Sequence, residues 1–278
     1  MSIEPARSRS RSRSRRFLTA VAALAVTLIT PLLASSPGAS AAAVPLPPVH
    51  AGFDYQLGGA YPPPAGVSVV SRDREDPPAA GLYNICYVNA FQVQPDELNE
   101  WAPDLLLRDA NGDVVIDEEW DEAILDIGTS GKRDRIAAKV NGWIDGCASA
   151  GFQAVEPDNY DSYERSRGQF GTGPAMDFIT LLADHAHAEG LAIGQKNTAE
   201  LAEFRADTGL DFAVVEECGE YDECDSFTDH FGDNVIVVEY TAKGLATACA
   251  GWGDSLSIVR RDADVVPAGS SGYLRQTC

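Results

Sequence analysis

The order of apolar runs and helical segments constrains the fold of this chain more than any other feature. Apolar runs of strand length recur along the chain: FDYQL, GVSVVS, LYNICYV, AILDIG, FQAVEPD, LAIGQKN, DFAVVEE, VIVVEY and LSIVRR. Helical patterns such as KRDRIAAKVNGWIDGCASA and GPAMDFITLLADHAHAEG lie between them, each with a Gly at its end. Alternating strands and helices predict an α/β fold, and about eight such units predict a single (β/α)8 TIM barrel. One run is surplus, so we expect an extra strand or a misassigned loop.

Residues 1–41 are typical of a targeting segment. The basic stretch from Arg7 to Arg16 precedes the apolar core FLTAVAALAVTLITPLL, and SPGASAAAV follows with an Ala-x-Ala site. This order predicts a secretory signal peptide cleaved at or near Ala41, with Sec and twin-arginine export both open. Residues 42–50 are then a Pro-rich linker and residues 51–278 one catalytic domain. We expect a secreted, extracellular protein with no membrane attachment after cleavage.

The chain without its targeting segment is strongly acidic. Residues 1–41 hold six of the 21 basic residues and one of the 42 acidic ones, which leaves 15 basic against 41 acidic residues and a formal charge of −26. Such a charge repels polyanions, so we expect no nucleic-acid partner. It favours either solubility outside the cell or attraction of a cationic ligand. We expect a monomer.

All six cysteines follow residue 41, and an even count in an exported chain indicates disulfides. The cysteines and the four His do not fall at zinc-ligand spacing, and DANGDVVIDEEW lacks the Gly and the Glu that a calcium loop needs. The sequence therefore predicts disulfides, no metal and no cofactor. Cys218 and Cys224 enclose the short loop CGEYDEC, and Cys278, the last residue, could join Cys249, which leaves Cys86 with Cys147. We favour this pairing among the 15 that six cysteines allow, and the sequence leaves the others open.

Polar residues follow the apolar runs, and in a TIM barrel the C-terminal ends of the strands carry the chemistry. The stretch GFQAVEPDNYDSYE gathers four carboxylates within nine positions. Two carboxylates from different strands are what glycoside hydrolysis needs, whereas no G-x-S-x-G, phosphate-loop or H-E-x-x-H motif occurs. The predicted substrate-binding residues are Asp54, Gln56, Tyr87, Asp126, Glu156, Asn159, Asp161, Lys196, Asn197, Glu217 and Glu239.

The same stretch resembles the G-[FC]-D-G-V-E-P-D-N-x-D signature of glycoside hydrolase family 114, the endo-α-1,4-polygalactosaminidases. The segments FDYQLGG, NICYVNAF, EEWDEAILDIG, GQKN and VVEECGEYDEC are similar to further family segments in the same order. The resemblance spans about residues 52–262, and departures such as Phe53 and Val215 leave the carboxylates intact. It implies a TIM barrel that hydrolyses partly deacetylated, and therefore cationic, galactosaminogalactan polymers.

The resemblance also implies a catalytic pair, Asp158 and Glu216. We assign Asp158 as nucleophile or electrostatic stabiliser and Glu216 as acid/base. The alternation of small residues in LAIGQKN, carried over to DFAVVEE, favours Glu217 instead, and the retaining and inverting outcomes both stay open. A non-catalytic carbohydrate-binding barrel and a hydrolase of another α-linked glycan are the alternative functions. Glu156 would point the same way as Asp158 but deeper, where pairing with Lys196 would keep it charged, and structural support is the role we favour for it.

Overall fold

The computed structural model describes residues 44–278, so the predicted signal peptide lies outside the described residues. The strands are β1 (Phe53–Gln56), β2 (Val69–Asp73), β3 (Tyr83–Asn89), β4 (Gln92–Val93), β5 (Ile116–Asp117), β6 (Glu122–Ile124), β7 (Ala154–Asp158), β8 (Ala192–Lys196), β9 (Phe212–Glu216), β10 (Val235–Glu239), β11 (Ser257–Arg261) and β12 (Arg275–Gln276). The helices are α1 (Ser130–Ala150), α2 (Ser162–Arg165), α3 (Thr172–Ala188), α4 (Arg205–Thr208), α5 (Cys218–Tyr221), α6 (Cys224–Phe231) and α7 (Ala242–Trp252).

Eight parallel strands form the predicted TIM barrel, in the order β1-β2-β3-β7-β8-β9-β10-β11. The sheet curls until β1 packs against β11, and the backbone N–H of Ala51, just before β1, donates to Ser257 Oγ in β11 at 2.8 Å. Side chains from all eight strands, among them Phe53, Ile85 and Val259, form one buried cluster inside the barrel. Every second residue of each strand therefore faces the interior.

The surplus apolar run is AILDIG, which does not form a barrel strand. Its first residues belong to β6, which pairs antiparallel with β4 and β5 in a separate three-stranded sheet. The run LSIVRR supplies β11, the eighth barrel strand, and β12 adds to it antiparallel. A short apolar run that is buried in a small accessory sheet cannot be told from a barrel strand by its composition.

The two predicted long helices are confirmed as α1 and α3. The side chain of Thr129 caps α1 by accepting from the backbone N–H of Lys132, and Gly151 ends the helix in the left-handed region at φ 96°. Three disulfides pair Cys86 with Cys147, Cys218 with Cys224, and Cys249 with Cys278, which confirms the favoured pairing. They tie β3 to α1, α5 to α6, and α7 to the C-terminal residue.

The residues just before the barrel pack against it. Val44 contacts the interior cluster at the N-terminal end of the strands, Pro47 is buried, and the Pro45 carbonyl accepts a hydrogen bond of 2.6 Å from Tyr83 Oη. Across residues 44–278, none of the helices combines the length and the apolar character that crossing a membrane requires.

Candidate active site

Lys196, the last residue of β8, is the centre of a charge cluster at the C-terminal end of the barrel. Its Nζ atom lies 3.4 Å from Glu156 Oε1, 3.2 Å from Asp158 Oδ1 and 3.3 Å from Glu216 Oε2. The Lys196 side chain is only 3% exposed. Three carboxylates around one ammonium leave the cluster negative when all four groups are ionised, so the cluster attracts a cation.

Asp158 ends β7 and has a hydrogen-bond partner on each oxygen. Tyr87 Oη donates to Oδ2 at 2.7 Å, and the backbone N–H of Asn159 donates to Oδ1 at 2.7 Å. Burial acts to raise the pKa of Asp158, but the Lys196 charge and these donors outweigh it and lower the pKa below its ordinary value. Asp158 is therefore held as a carboxylate, and its side chain stays 20% exposed to the cleft.

Glu216 ends β9 and is held from two sides. Asn197 Nδ2 donates to Oε2 at 3.1 Å, while Asn197 Oδ1 accepts from the backbone N–H of Glu216 at 2.8 Å. The hydroxyl of Tyr240 donates to Oε1. Asn197 follows β8 in the left-handed region at φ 47°, which Asn tolerates better than most residues. With its side chain 23% exposed, Glu216 reaches the same cleft as Asp158.

Glu156 lies beneath this pair and is fully buried. Tyr55 Oη donates to its Oε1 at 2.8 Å, Ser71 Oγ donates to Oε2 at 2.6 Å, and Lys196 Nζ also donates to Tyr55 Oη at 3.0 Å. Burial raises the pKa of Glu156, although Lys196 opposes that shift. A substrate cannot touch a carboxylate that is 0% exposed. The predicted substrate contact is therefore wrong for Glu156, which instead holds Lys196 from below.

Asp54 and Gln56 were expected at the rim but lie on the outer face of β1. Phe53 and Tyr55 fill the barrel interior, so the residues that alternate with them point outward. Gln56 Nε2 donates to Asp54 Oδ2 at 2.8 Å, and Arg72 Nε donates to Gln56 Oε1 at 2.9 Å. Both side chains are fully buried in this outer network. The prediction that they contact substrate is wrong because of strand alternation.

Glu239 was also expected in the cleft, and it lies outside the barrel for the same reason. Ile236 and Val238 of β10 face the interior, so Glu239 points outward between α5 and α7 and is fully buried. Its Oε1 accepts from the backbone N–H of Gly219 at 2.7 Å. A Cβ built on Gly244 would lie 2.0 Å from Oε2, so a larger residue there would displace the Glu239 carboxyl. The predicted substrate contact is wrong for Glu239 as well.

The direction of the side chains of β9 distinguishes Glu216 from Glu217. Phe212 and Val214 face the barrel interior and Ala213 and Val215 face outward, so Glu216 is the inward residue. The prediction for Glu217 assumed that the small residues of β9 face inward, and this assumption is wrong. The large Phe212 of β9 faces inward because its neighbour in β8 is Gly194, where a Cβ would lie 2.8 Å from the Phe212 ring. Glu217 leaves the strand in the left-handed region at φ 61° and is partly exposed.

The predicted role of Asp126 assumed that this residue ends a barrel strand, and it does not. It lies between β6 and α1, where it forms an ion pair with Lys132 and accepts from the backbone N–H of Gly128 at 3.1 Å. The predicted position of Asp126 at the end of a barrel strand is therefore wrong. A small sheet interrupts the alternation of strand and helix here, so the run before Asp126 carries no information about the barrel rim.

The loop after β7 carries the remaining predicted residues, Asn159 and Asp161. Arg165 forms two hydrogen bonds with Asp161, at 2.7 and 2.9 Å, and donates to Asn159 Oδ1 at 3.2 Å. Arg165 Nε also lies 2.9 Å from Asp117 Oδ2 in β5, which ties this loop to the small sheet. Asn159 Nδ2 donates to Asn89 Oδ1 at 2.9 Å. This loop and the small sheet therefore form one side of the cleft.

Several residues of the site escaped the sequence analysis. Tyr55 lies between Asp54 and Gln56, and Ser71 lies between Val70 and Arg72, so neither stands out as a candidate site residue. Their signal was positional, because both are inward residues of their strands, Tyr55 beside Phe53 in the interior cluster and Ser71 two positions after the inward Val69. The missed residues that contact the predicted ones are Tyr55, Ser71, Asn89 and Arg165.

One group among residues 44–278 brings three possible metal ligands together. Asp145 of α1, His185 of α3 and Glu189 offer ligand atoms within 4.8 Å of one another. His185 Nε2 lies 2.6 Å from Asp145 Oδ1, so hydrogen bonding already explains that contact. Asp145 and Glu189 are exposed, and the group is formed by the outer helices rather than by the ends of the barrel strands.

Comparison with known proteins places this geometry in context. The model of glycoside-hydrolase family GH114 matches residues 34–278. The crystal structure of Aspergillus fumigatus Ega3 in complex with galactosamine has a TM-score of 0.70 at 21% identity, covering 87% of this chain and 100% of that chain. The glycoside hydrolase domain of PelA from Pseudomonas aeruginosa has a TM-score of 0.53 at 15% identity, covering 79% of this chain and 97% of that one. Among curated protein sequences, none matches.

Proposed function

The chain belongs to glycoside-hydrolase family GH114 and is a glycosidase, and we propose that it is an endo-acting hydrolase of α-1,4-linked galactosamine in partly deacetylated galactosaminogalactan. The observation that carries the proposal is the pair Asp158 and Glu216, both inward and exposed to the cleft, on either side of Lys196. Ega3, whose fold this chain shares, has been crystallised with galactosamine. The charge of −26 after residue 41 suits a cationic polymer.

The proposed roles follow from the surroundings of each carboxylate. Asp158 is kept ionised by Lys196, Tyr87 and Asn159, as a nucleophile must be. Glu216 is oriented through both of its oxygens by Asn197 and Tyr240, which fixes its carboxyl group at the cleft, where an acid/base residue has to reach the glycosidic oxygen. Lys196 binds both residues and does not touch the cleft itself, because it is buried beneath them.

The separation of the two carboxylates supports a double displacement. Asp158 Oδ1 and Glu216 Oε2 lie 3.2 and 3.3 Å from the same Nζ atom, so the two oxygens are at most 6.5 Å apart. Retaining enzymes place their carboxyl groups about 5 to 5.5 Å apart and inverting enzymes about 6.5 to 9.5 Å apart. The upper limit for this pair of oxygens meets the lower end of the inverting range and includes the retaining range, and on that basis we propose the retaining arrangement.

In the proposed first step, an Asp158 oxygen forms a bond to C1 of the sugar while the bond from C1 to the glycosidic oxygen breaks. Glu216 transfers its proton to that departing oxygen, and the covalent intermediate is an ester of Asp158. In the second step, Glu216 takes a proton from water as the water oxygen bonds to C1, and Asp158 leaves as a carboxylate. The product keeps the α configuration.

We also propose that the protein is exported and acts outside the cell. The three disulfides support this proposal, because such bonds persist in oxidising compartments. The N-terminal sequence pattern supports it independently.

The test is incubation of the purified protein with deacetylated α-1,4-galactosamine polymer, its N-acetylated form and other α-linked glycans. We expect new reducing ends from the galactosamine polymer, internal cleavage products at early times, and an α-anomer as the first product seen by proton NMR. Cleavage of another glycan alone would replace the proposed substrate, and binding of the polymer without any cleavage would indicate a carbohydrate-binding protein. A β-anomer as the first product would overturn the retaining mechanism.

A further inference from the structure

The hairpin between β5 and β6 carries the most exposed tryptophan of the described residues. Trp120 lies at its tip and is 63% exposed, whereas Trp101 is 5% exposed and packs edge-to-face on Trp143. An indole that is left in water makes few contacts with its own chain, so packing does not explain it. Large exposed aromatic residues on a rigid support are typical of binding surfaces.

The hairpin is held firmly in place. Asp117 of β5 contacts Arg165 at 2.9 Å and accepts from Gln92 Nε2 at 3.2 Å. The backbone N–H of Glu119 donates to Asp117 Oδ1 at 3.1 Å, which fixes the turn that presents Trp120. Because Arg165 also binds the loop after β7, the tip has a fixed position relative to Asp158.

Two carboxylates that flank Trp120 reach the edge of the active site. Burial raises the pKa of Glu122, and the nearby charge of Asp158 raises it further. Burial likewise raises the pKa of Glu217, and the charges of Glu216, Glu220 and Glu119 add to that effect. Glu122 pairs with Asp117 across the hairpin, and its Oε2 atom lies 3.4 Å from Gln92 Nε2. Gln92 follows β3, whose last residue, Asn89, is the register partner of Asp158. The hairpin therefore lies next to the Asp158 end of the site, and Trp120, two residues before Glu122, lies at the mouth of the cleft.

The negative charge at this mouth is not balanced. Within residues 44–278, no Lys, Arg or His lies at ion-pair distance from Glu119, Glu122 or Glu217. An exposed indole next to unpaired carboxylates matches a ligand that has both an apolar face and an ammonium group. A galactosamine unit has both, since C–H groups line one face of its ring and the amine is charged at neutral pH.

We propose that Trp120 and Glu119 form a binding subsite for one galactosamine unit of the polymer, next to the unit held between Asp158 and Glu216. The ring stacks on the indole of Trp120, and its ammonium faces the indole and the carboxylate of Glu119. This inference rests on the proposed function and adds a specificity-determining contact to it. The subsite selects for chain length through Trp120 and for the free amine through Glu119.

The test measures binding in the Glu216→Gln background, where the bound oligomer is not cleaved. Isothermal titration would compare an α-1,4-linked galactosamine tetramer, its N-acetylated form and free galactosamine. We expect Trp120→Ala to weaken binding of both tetramers, the deacetylated one about tenfold, and to leave free galactosamine unchanged. Trp120→Phe should recover part of the loss. We expect Glu119→Gln to weaken binding of the deacetylated tetramer only.

Leu46→Ala is the matched control, because Leu46 is 41% exposed and precedes the N-terminal end of the barrel. It should bind all three ligands like the parent protein. In the active protein, Trp120→Ala should raise KM on polymer about tenfold and leave kcat nearly unchanged, since the contact lies outside the reacting atoms. Unchanged tetramer binding by Trp120→Ala would overturn the subsite even if the wild type cleaves the polymer. A wild type that binds the tetramer through Trp120 but cleaves no polymer would refute the proposed function and leave the subsite standing.

Discussion

Replacing Glu239 by Gln should change how the stability of this protein depends on pH. The Glu239 carboxyl is fully buried between α5 and α7, and its Oε2 has no hydrogen-bond partner among the described residues. Burial raises its pKa from 4.5 to about 7, and the charges of Glu217 and Glu220 add to the effect while the backbone N–H groups of Gly219 and Glu220 oppose it. The folded protein therefore holds this proton more tightly than the unfolded chain does.

The sign and the size of the effect follow from that difference. Below pH 4.5 the carboxyl is protonated in both states, so its contribution to stability is complete. As pH rises toward 7 the unfolded chain loses the proton first and stability falls, and above about 7 the folded protein carries a buried charge. The difference between 4.5 and about 7 is worth at most about 3 kcal/mol of unfolding free energy. For a chain of this size, that corresponds to about 6 to 12 °C in Tm.

The assay is thermal unfolding of the wild type and Glu239→Gln from pH 4.5 to 8.5. Comparing two proteins at each pH cancels the groups that titrate alike in both. We expect the Tm of Glu239→Gln relative to wild type to rise by several degrees between pH 5 and pH 8. Glu203→Gln, which removes a charge from an exposed residue, should show no such rise. A constant difference between Glu239→Gln and wild type across the range would refute the reasoning.

Three further predictions concern the active site and its surroundings. Lys196→Met removes the ammonium that lowers the pKa of Asp158, so the acidic limb of the pH–rate profile should move to higher pH; an unchanged profile contradicts the role of Lys196. Turnover of deacetylated polymer should fall as ionic strength rises toward about 1 M, where the Debye length is about 3 Å; equal rates at low and high salt would leave the acidic charge as a solubility feature. Replacing both Cys218 and Cys224 by Ala should lower the unfolding free energy by about 2 kcal/mol. It should also lower kcat, because α5, which the disulfide holds, begins two residues after Glu216. A wild-type Tm and kcat would show that the bridge does not support the site.

Much of the fold was predictable from the sequence, because the order of strands and helices can be predicted without knowing which way each side chain points. Strand direction was harder to predict. Both faces of a parallel barrel strand are buried, so VIVVE shows no alternation of apolar and polar residues. FDYQ does alternate, but because all four residues are buried the alternation does not show which set faces inward. That is why Asp54, Gln56 and Glu239 were expected in the cleft and lie outside the barrel.

The centre of the site was predictable for a different reason. In β7, Glu156 and Asp158 stand two positions apart and therefore point to the same face of the strand. In β8, Lys196 stands at the last position. All three side chains point into the barrel in the structure. Lys196 and Glu156 were therefore expected side by side and are found so, 3.4 Å apart. The hairpin with Trp120 lies in the small sheet, whose placement over the barrel depends on tertiary contacts such as that between Arg165 and Asp117. Sequence spacing does not contain that information.

The most direct test of the central claim is the initial rate of reducing-end release from deacetylated galactosamine polymer by Asp158→Asn. The substitution keeps the shape of the side chain and removes the charge that Lys196, Tyr87 and Asn159 hold in place. We predict a loss of at least about 10²-fold, with a Tm close to that of wild type. Asp184→Asn, the same change at an exposed position of α3, should keep the full rate. A folded Asp158→Asn protein that cleaves the polymer at a near wild-type rate would contradict the assignment of Asp158 as the nucleophile.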